Sequence, residues 1–219
     1  MSLYYGQLLN LLAATLLLLS FAMLGQRRIL SLINLFMAQG AVLCASTAVV
    51  ALTTGQTHLY WSALITLVLK VLLLPWILHR LIRRLNVKWD VETLINIPTT
   101  MLIGIVLVII SFNLALPISA LAGTVTRSLL GIAMACVLLA FLMMITRSKA
   151  VPQVIGFLSM ENGLFFAATS ATYGMPMVVE LGIALDVLVG TVILGVFFFQ
   201  IREKFDSLDI RHLEQLRED

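Results

Sequence analysis

Long apolar runs, interrupted by short polar pieces, set the pattern of the chain. The runs fall at Tyr4–Leu24, Ile29–Ala51, Leu59–Leu81, Pro98–Ala115, Ser128–Thr146, Val151–Tyr173 and Glu180–Gln200. A helix rising 1.5 Å per residue needs about 20 apolar residues to cross roughly 30 Å of hydrocarbon. The pattern therefore predicts an all-α integral membrane protein, a bundle of about seven transmembrane helices. The fourth run is the shortest. Turn-like pieces such as GQRR, TTGQTH, RSK and YGMPM join the runs, so consecutive helices are expected to be antiparallel neighbours. No internal repeat, low-complexity tract or long linker divides the chain. Residues 1–205 are expected to form one transmembrane helical domain. A short amphipathic tail follows over 206–219, with Leu208, Leu213 and Leu216 among charges.

Composition agrees with a bilayer as solvent. Of 219 residues, 61% are hydrophobic and 11% charged, whereas soluble domains run near half apolar and a quarter charged. The net charge of +3 matters less than its placement. Arg27 and Arg28 follow the first run, and Arg80, Arg83, Arg84 and Lys88 the third. Arg147 and Lys149 follow the fifth, and Arg202, Lys204, Arg211 and Arg217 the seventh. The opposite loops hold little beyond Arg127. Basic loops stay cytoplasmic. The N-terminus is thus expected outside and the C-terminus inside, in a multi-pass protein of the cell inner (cytoplasmic) membrane. The start, MSLYYGQLLNLL, lacks a basic n-region and reads as a retained first helix.

Candidate catalytic chemistry is sparse. Cys44 and Cys136 lie inside apolar runs without CxxC or Cys/His spacing, so neither a disulfide framework nor a metal site is expected. There is no glycine-rich phosphate loop, no Ser/His/Asp set outside the runs and no His pair at helix spacing. No cofactor and no nucleic-acid partner is expected, and any chemistry would belong to a partner chain.

The charges inside the runs are the informative residues. Lys70 lies mid-way along the third run, Glu161 about 15 Å into the sixth and Asp186 about 9 Å into the seventh. Each costs roughly 2.5–3.5 kcal/mol on insertion scales, so each must face protein or water. One reading is a proton or ion path, in which moving Lys70 towards or away from Glu161 changes whether the acid holds a proton. The other is a structural ion pair or a permanently neutral acid. Gly182, Asp186 and Gly190, spaced by four, share one helix face that permits close packing or water beside the acid. Asn162 and Gly163 are expected to loosen the sixth helix locally. Gln39 and Asn34 read as interhelical hydrogen-bond glue, with Gln39 a supporting member of the path. His58 and His79 mark the two ends of the third run, as solvated ends or as points of proton entry. Pro75, five residues after Lys70, removes a backbone donor and should kink or weaken that helix.

Three stretches carry a resemblance: LVLKVLLLPWIL (Leu67–Leu78), GFLSMENGLFFA (Gly156–Ala167) and VVELGIALDVLVG (Val178–Gly190). With the closing LDIRHLEQLR (Leu208–Arg217) they look like component E of hydrogenase-4, a membrane subunit of formate hydrogenlyase-type complexes. Lys70, Glu161, Glu180 and Asp186 stand where that pattern would put them. The region from about 146 onward is also similar to the small K subunit of respiratory complex I and of multisubunit cation/proton antiporters. There the acids of the last two helices fall about one turn from Glu161 and Asp186, which keeps the helix face. The resemblance implies a membrane component contributing Glu161, Asp186 and Lys70, supported by Glu180, to proton or sodium translocation. Its partners would be antiporter-like membrane subunits and a membrane-anchored, hydrogenase-like redox arm. Two alternatives are a scaffold linking those subunits and an antiporter subunit without a redox module. A stand-alone solute transporter is disfavoured because no repeat is visible.

Overall fold

The structure, a computed structural model, describes residues 2–55, 57–85, 93–122, 127–172 and 195. Helices α1 (Ser2–Leu24) and α2 (Ile29–Thr54) are joined by a tight turn. Next come α3 (Thr57–Thr66), a π-helical segment (Leu67–Leu73) and α4 (Leu74–Leu85). Then follow α5 (Ile97–Ala122), α6 (Arg127–Thr146) and α7 (Ala150–Thr172). Among the described residues the only β-type pairing is an isolated bridge between Thr93 and Arg147. Gly55 ends α2 in the left-handed conformation, φ 67°, and its N–H closes on the Ala51 carbonyl.

Among the described residues, five helical stretches are long and apolar enough to cross a membrane: Tyr4–Leu24, Ile29–Thr54, Leu59–Arg80, Ile97–Pro117 and Ser128–Thr146. The third of them runs through α3, the π segment and the start of α4 without a break. The chain is a multi-pass membrane protein. α7, at 23 residues, has the length of a span but is not among these stretches; it carries Gln153, Ser159, Glu161 and Asn162. The fourth run, expected to be the shortest, forms one of the longest helices, α5, at 26 residues. The apolar stretch after Ala115 continues the helix through Pro117, whose missing donor interrupts one rung of the ladder. Apart from Gly195, the seventh run, with Glu180, Gly182, Asp186 and Gly190, and the tail 206–219 lie outside the described residues.

α6 packs on α5, α7 and α1, while α2 packs on α1, α7, α3 and the π segment. Without a hydrophobic drive between helices in lipid, such contacts depend on close van der Waals fit and small residues. The α6–α7 pair shows this. A Cβ added at Gly156 would lie 2.8 Å from Met144 Cγ, and one added at Gly163 would lie 3.0 Å from Val137 Cγ2. These glycines, two turns apart, let α7 seat against α6. Gly163 therefore serves packing inside an unbroken helix and does not loosen it, contrary to the expectation for the Asn-Gly pair.

Among the described residues, the two larger buried apolar clusters stack along the bundle. One holds Met23, Leu32, Phe36, Leu74, Leu139 and Ile155 with their neighbours. The other holds Ala13, Leu16, Leu43, Ala133, Cys136 and Phe166. On α1, α2 and α7 the buried polar residues between these two clusters are Ser20, Gln39, Ser159, Glu161 and Asn162. The polar groups thus form a layer between two apolar ones.

Candidate functional site: a buried charge layer

Lys70 Nζ donates to Glu161 Oε1 at 3.0 Å, although the two residues are 91 positions apart in sequence. Their side chains are 6% and 10% exposed, which closes the pair off from bulk solvent. Lys70 sits in the centre of the π segment; Glu161 sits about 16 Å into α7 from Ala150. Charge-assisted contact of this kind lets two groups share an apolar interior that would reject either alone.

The local helix geometry explains how Lys70 reaches its partner. Pro75 has no N–H to give to the carbonyl four residues back, so regular α-helical bonding is already broken there. Just before it, the Leu74 N–H bonds the Leu69 carbonyl, five residues back, and the π form extends over Leu67–Leu73. The expected disturbance near Pro75 thus takes the form of a π segment. Widened turns of this type are concentrated at functional sites. On the facing helix, a Cβ added at Gly40 would touch Lys70 Cβ and the Lys70 carbonyl oxygen at 3.4 Å, so a small residue lets α2 come close. On α7, Phe165 stands one turn after Glu161, and its ring centroid is 5.4 Å from Lys70 Nζ. The ring adds a cation–π contact. The sequence reading missed Phe165; its place four residues after an intramembrane acid is the signal that marks it.

Next to the pair runs a chain of neutral hydrogen bonds. Asn162 Nδ2 donates to Gln39 Oε1 at 3.2 Å, and Gln39 Nε2 donates to Ser20 Oγ at 3.0 Å. The Ser20 hydroxyl in turn donates to the Leu16 carbonyl at 3.0 Å. The chain ties α7, α2 and α1 at the depth of the ion pair. Asn162 Oδ1 is buried without a hydrogen-bond partner among the described residues. Amides hold their protons at neutral pH, so the Asn162–Gln39 links orient helices and carry no charge themselves. Asn34, expected to act in the same way, is instead exposed on the outer side of α2, beside α4.

The remaining predicted residues are dispersed. His58 lies in the first turn of α3. His79, in α4, donates from Nδ1 to the Pro75 carbonyl at 3.0 Å. The structure therefore brings together Lys70, Glu161 and, through Asn162, Gln39. The two histidines belong to opposite ends of one helix. Glu180 and Asp186 fall outside the described residues. Among the described residues no group of three His, Cys, Asp or Glu is placed to hold a metal ion.

Sequence reasoning also treated Arg147 only as a marker of the cytoplasmic side. It is 1% exposed. Its Nη2 donates to the carbonyls of Met23 at 3.3 Å and Leu24 at 2.6 Å, two acceptors in the last turn of α1, the first of which also accepts from the Gln26 N–H. Burial pushes its pKa down from the ordinary arginine value. Gln153 Nε2 donates to the Arg147 carbonyl at 2.8 Å, and the Leu94 N–H donates to the Thr146 carbonyl at 2.9 Å. One residue thus gathers the ends of α1, α6 and α7 and the segment entering α5.

Known proteins share this chain's sequence along most of its length. It is 32% identical over 215 residues to the uncharacterized protein Rv0085 of Mycobacterium tuberculosis, a match covering 98% of each chain. It is 24% identical over 166 residues to hydrogenase-4 component E of Escherichia coli, covering 76% of each. Hydrogenase-4 component E of Shigella flexneri matches to the same degree. No family model matches, and no solved structure does. At that identity over nearly the whole of both chains, this protein belongs to the family of Mycobacterium tuberculosis Rv0085.

Proposed function

We propose that the chain is a non-catalytic membrane subunit of a hydrogenase-type, redox-driven complex, and that Lys70 and Glu161 take part in moving protons or sodium ions through it. The observation that carries this reading is the buried Lys70–Glu161 contact of 3.0 Å, built on a π segment at mid-depth. The similarity to hydrogenase-4 component E supports the kind of assembly. In an apolar layer, contact with the ammonium keeps the carboxylate ionised, and separation favours the neutral, protonated acid. A small register shift in the π segment would withdraw Lys70, so a partner subunit that biases that shift could load and unload Glu161. Asp186 would continue the path on a seventh transmembrane helix, with Glu180 near the start of that helix. The N-terminus would lie outside and the C-terminus in the cytoplasm of the inner membrane. A reporter fused after Asp219 would then be active only on the cytoplasmic side.

The close pairing decides the experiment. Replacing Glu161 alone strands a cation, which confuses loss of function with loss of assembly. The double variant Lys70→Met/Glu161→Gln removes both charges and leaves groups that hydrocarbon tolerates better. In membrane vesicles the double-variant complex is expected to assemble at near-normal yield with ion movement lost or strongly reduced. Undiminished ion movement by an assembled complex would exclude the path and favour a scaffold whose pair only fastens helices.

A further inference from the structure

A second feature faces away from the charge layer. A groove of about 660 Å³ opens between α2 and α4, lined by Asn34, Met37, Leu72, Trp76, His79 and Arg80 among others. Its composition changes along its length. Arg80 and His79 stand at the end of the span Leu59–Arg80, while Met37 and Leu72 lie one to two turns deeper. The Arg80 guanidinium rests 5.2 Å from the Trp76 ring, which holds it beside the groove's mouth.

The aromatic residues set the level of that mouth. Trp61 and Trp76 are both exposed, at 59% and 57%, near the two ends of the same membrane-crossing stretch. Fifteen residues separate them, roughly 22 Å of helix, and tryptophans at such positions mark the two lipid–water interfaces. The mouth of the groove is therefore at headgroup depth and its inner end among acyl chains. The exposed Arg27 and Arg28, immediately before α2, stand at the same end of that helix. A cationic rim over an apolar trough, aligned with the bilayer normal, matches an amphiphile with an anionic head.

We propose that this groove is a binding site for an anionic phospholipid, with the phosphate at Arg80 and Asn34 and an acyl chain along Met37 and Leu72. Arg80 supplies the charge, Trp76 the wall between head and chain, and Met37 an adaptable floor. The proposal rests on the membrane reading and not on ion transfer, so either can fail without the other.

The test has two arms. The full-length chain, extracted from bilayers of equal phosphatidylglycerol and phosphatidylcholine, is weighed with its retained lipids by native mass spectrometry. Phosphatidylglycerol is expected to dominate, and Arg80→Gln to lower that preference about fivefold, the effect of one basic residue near an anionic lipid. Met37→Trp, which fills the trough, should lower retention of both lipids. Equal retention of the two lipids by the unaltered chain, or an unchanged preference in Arg80→Gln, would overturn the proposal. In the second arm a photoreactive residue replaces Leu72 in the intact assembly in native membranes. Cross-links of phospholipid mass support the site. Cross-links of protein mass would show a neighbouring protein in the groove and refute it.

Discussion

Among the described residues two cations are buried, and they are accommodated in opposite ways. Lys70 is held at mid-depth by one carboxylate, from a π segment whose hydrogen bonds are already irregular. Arg147 is held at the bundle's end by two backbone carbonyls belonging to the last turn of α1. The carbonyls cannot titrate or move without unwinding a helix, and the negative end of the α1 dipole favours the guanidinium further. A carboxylate can take a proton, and under the proposed function the helix that carries its partner would change register. Equal burial therefore does not imply equal purpose. Arg147 is placed as a staple, whereas the Lys70–Glu161 contact is compatible with the exchange proposed above.

The largest expected effect breaks the Lys70 arrangement from one side. Glu161→Ala leaves a buried ammonium beside Phe165 with no counter-charge at Oε1, which should cost about 3–5 kcal/mol of stability. Adding Lys70→Met should recover most of it. The double-mutant cycle is read from thermal aggregation of the detergent-solubilised chain. Additive losses, with no recovery, would mean that the pair contributes nothing specific.

Arg147 sharpens the comparison with a smaller number. Arg147→Met removes charge-assisted bonds to Met23 and Leu24, worth roughly 1.5–3 kcal/mol, but also removes a buried cation. The net expectation is a loss of about 2 kcal/mol of stability, with ion movement per assembled complex unchanged. Arg147→Lys should recover part of the loss, since a single nitrogen, Nη2, makes both bonds and an ammonium also carries enough protons for two carbonyls. A variant that assembles normally but moves no ions would make Arg147 part of the path and erase the contrast.

The contrast also shows what the sequence can disclose. Apolar runs of bilayer length located α1, α2 and α6 almost to the residue, because length and hydropathy are local properties. Lys70 and Glu161 were visible as charges where hydrocarbon forbids them. Their contact was not derivable, since it depends on helix rotation set by Gly40, Gly156 and Gly163 and on the π register before Pro75. The burial of Arg147 was not derivable for the complementary reason. Its position in a basic loop marked only a membrane side, and it is the end of α1, more than a hundred residues earlier in sequence, that buries it. The apolar run ended at Ala115, whereas α5 continues to Ala122 through Pro117, because a helix in a bundle can absorb one lost rung.

Alignment of helices offers the next step down. Gly163→Val places two methyl groups against Val137, where even a single Cβ would be 3.0 Å from Cγ2 and 3.2 Å from the backbone nitrogen. α7 must then move outward or rotate, at about 1–3 kcal/mol for overpacking. Because Glu161 rides on that helix, ion movement should fall more than assembly does. Gly163→Ala is the milder control, and equal losses of yield and ion movement across both would show that α7 position matters only for folding.

The smallest expected effect concerns Gln39, and it separates orientation from conduction. Gln39 accepts from Asn162 and donates to Ser20, so Gln39→Leu removes two interhelical bonds while keeping an apolar side chain of similar length. Hydrogen bonds between membrane helices average only about 0.6 kcal/mol each, so the loss should be about 1 kcal/mol. The variant strands Asn162 Nδ2 next to Oδ1, which already lacks a partner among the described residues. Asn162 would then be free to rotate, and Glu161, its neighbour on α7, would lose a lateral constraint. If the amide chain only orients helices, ion movement in Gln39→Leu should fall modestly, by about the factor of five that 1 kcal/mol represents, and adding Asn162→Leu should restore it. A loss as complete as that of the Lys70→Met/Glu161→Gln complex, without rescue, would instead place Gln39 on the path itself, most simply through water bound where the amides now meet.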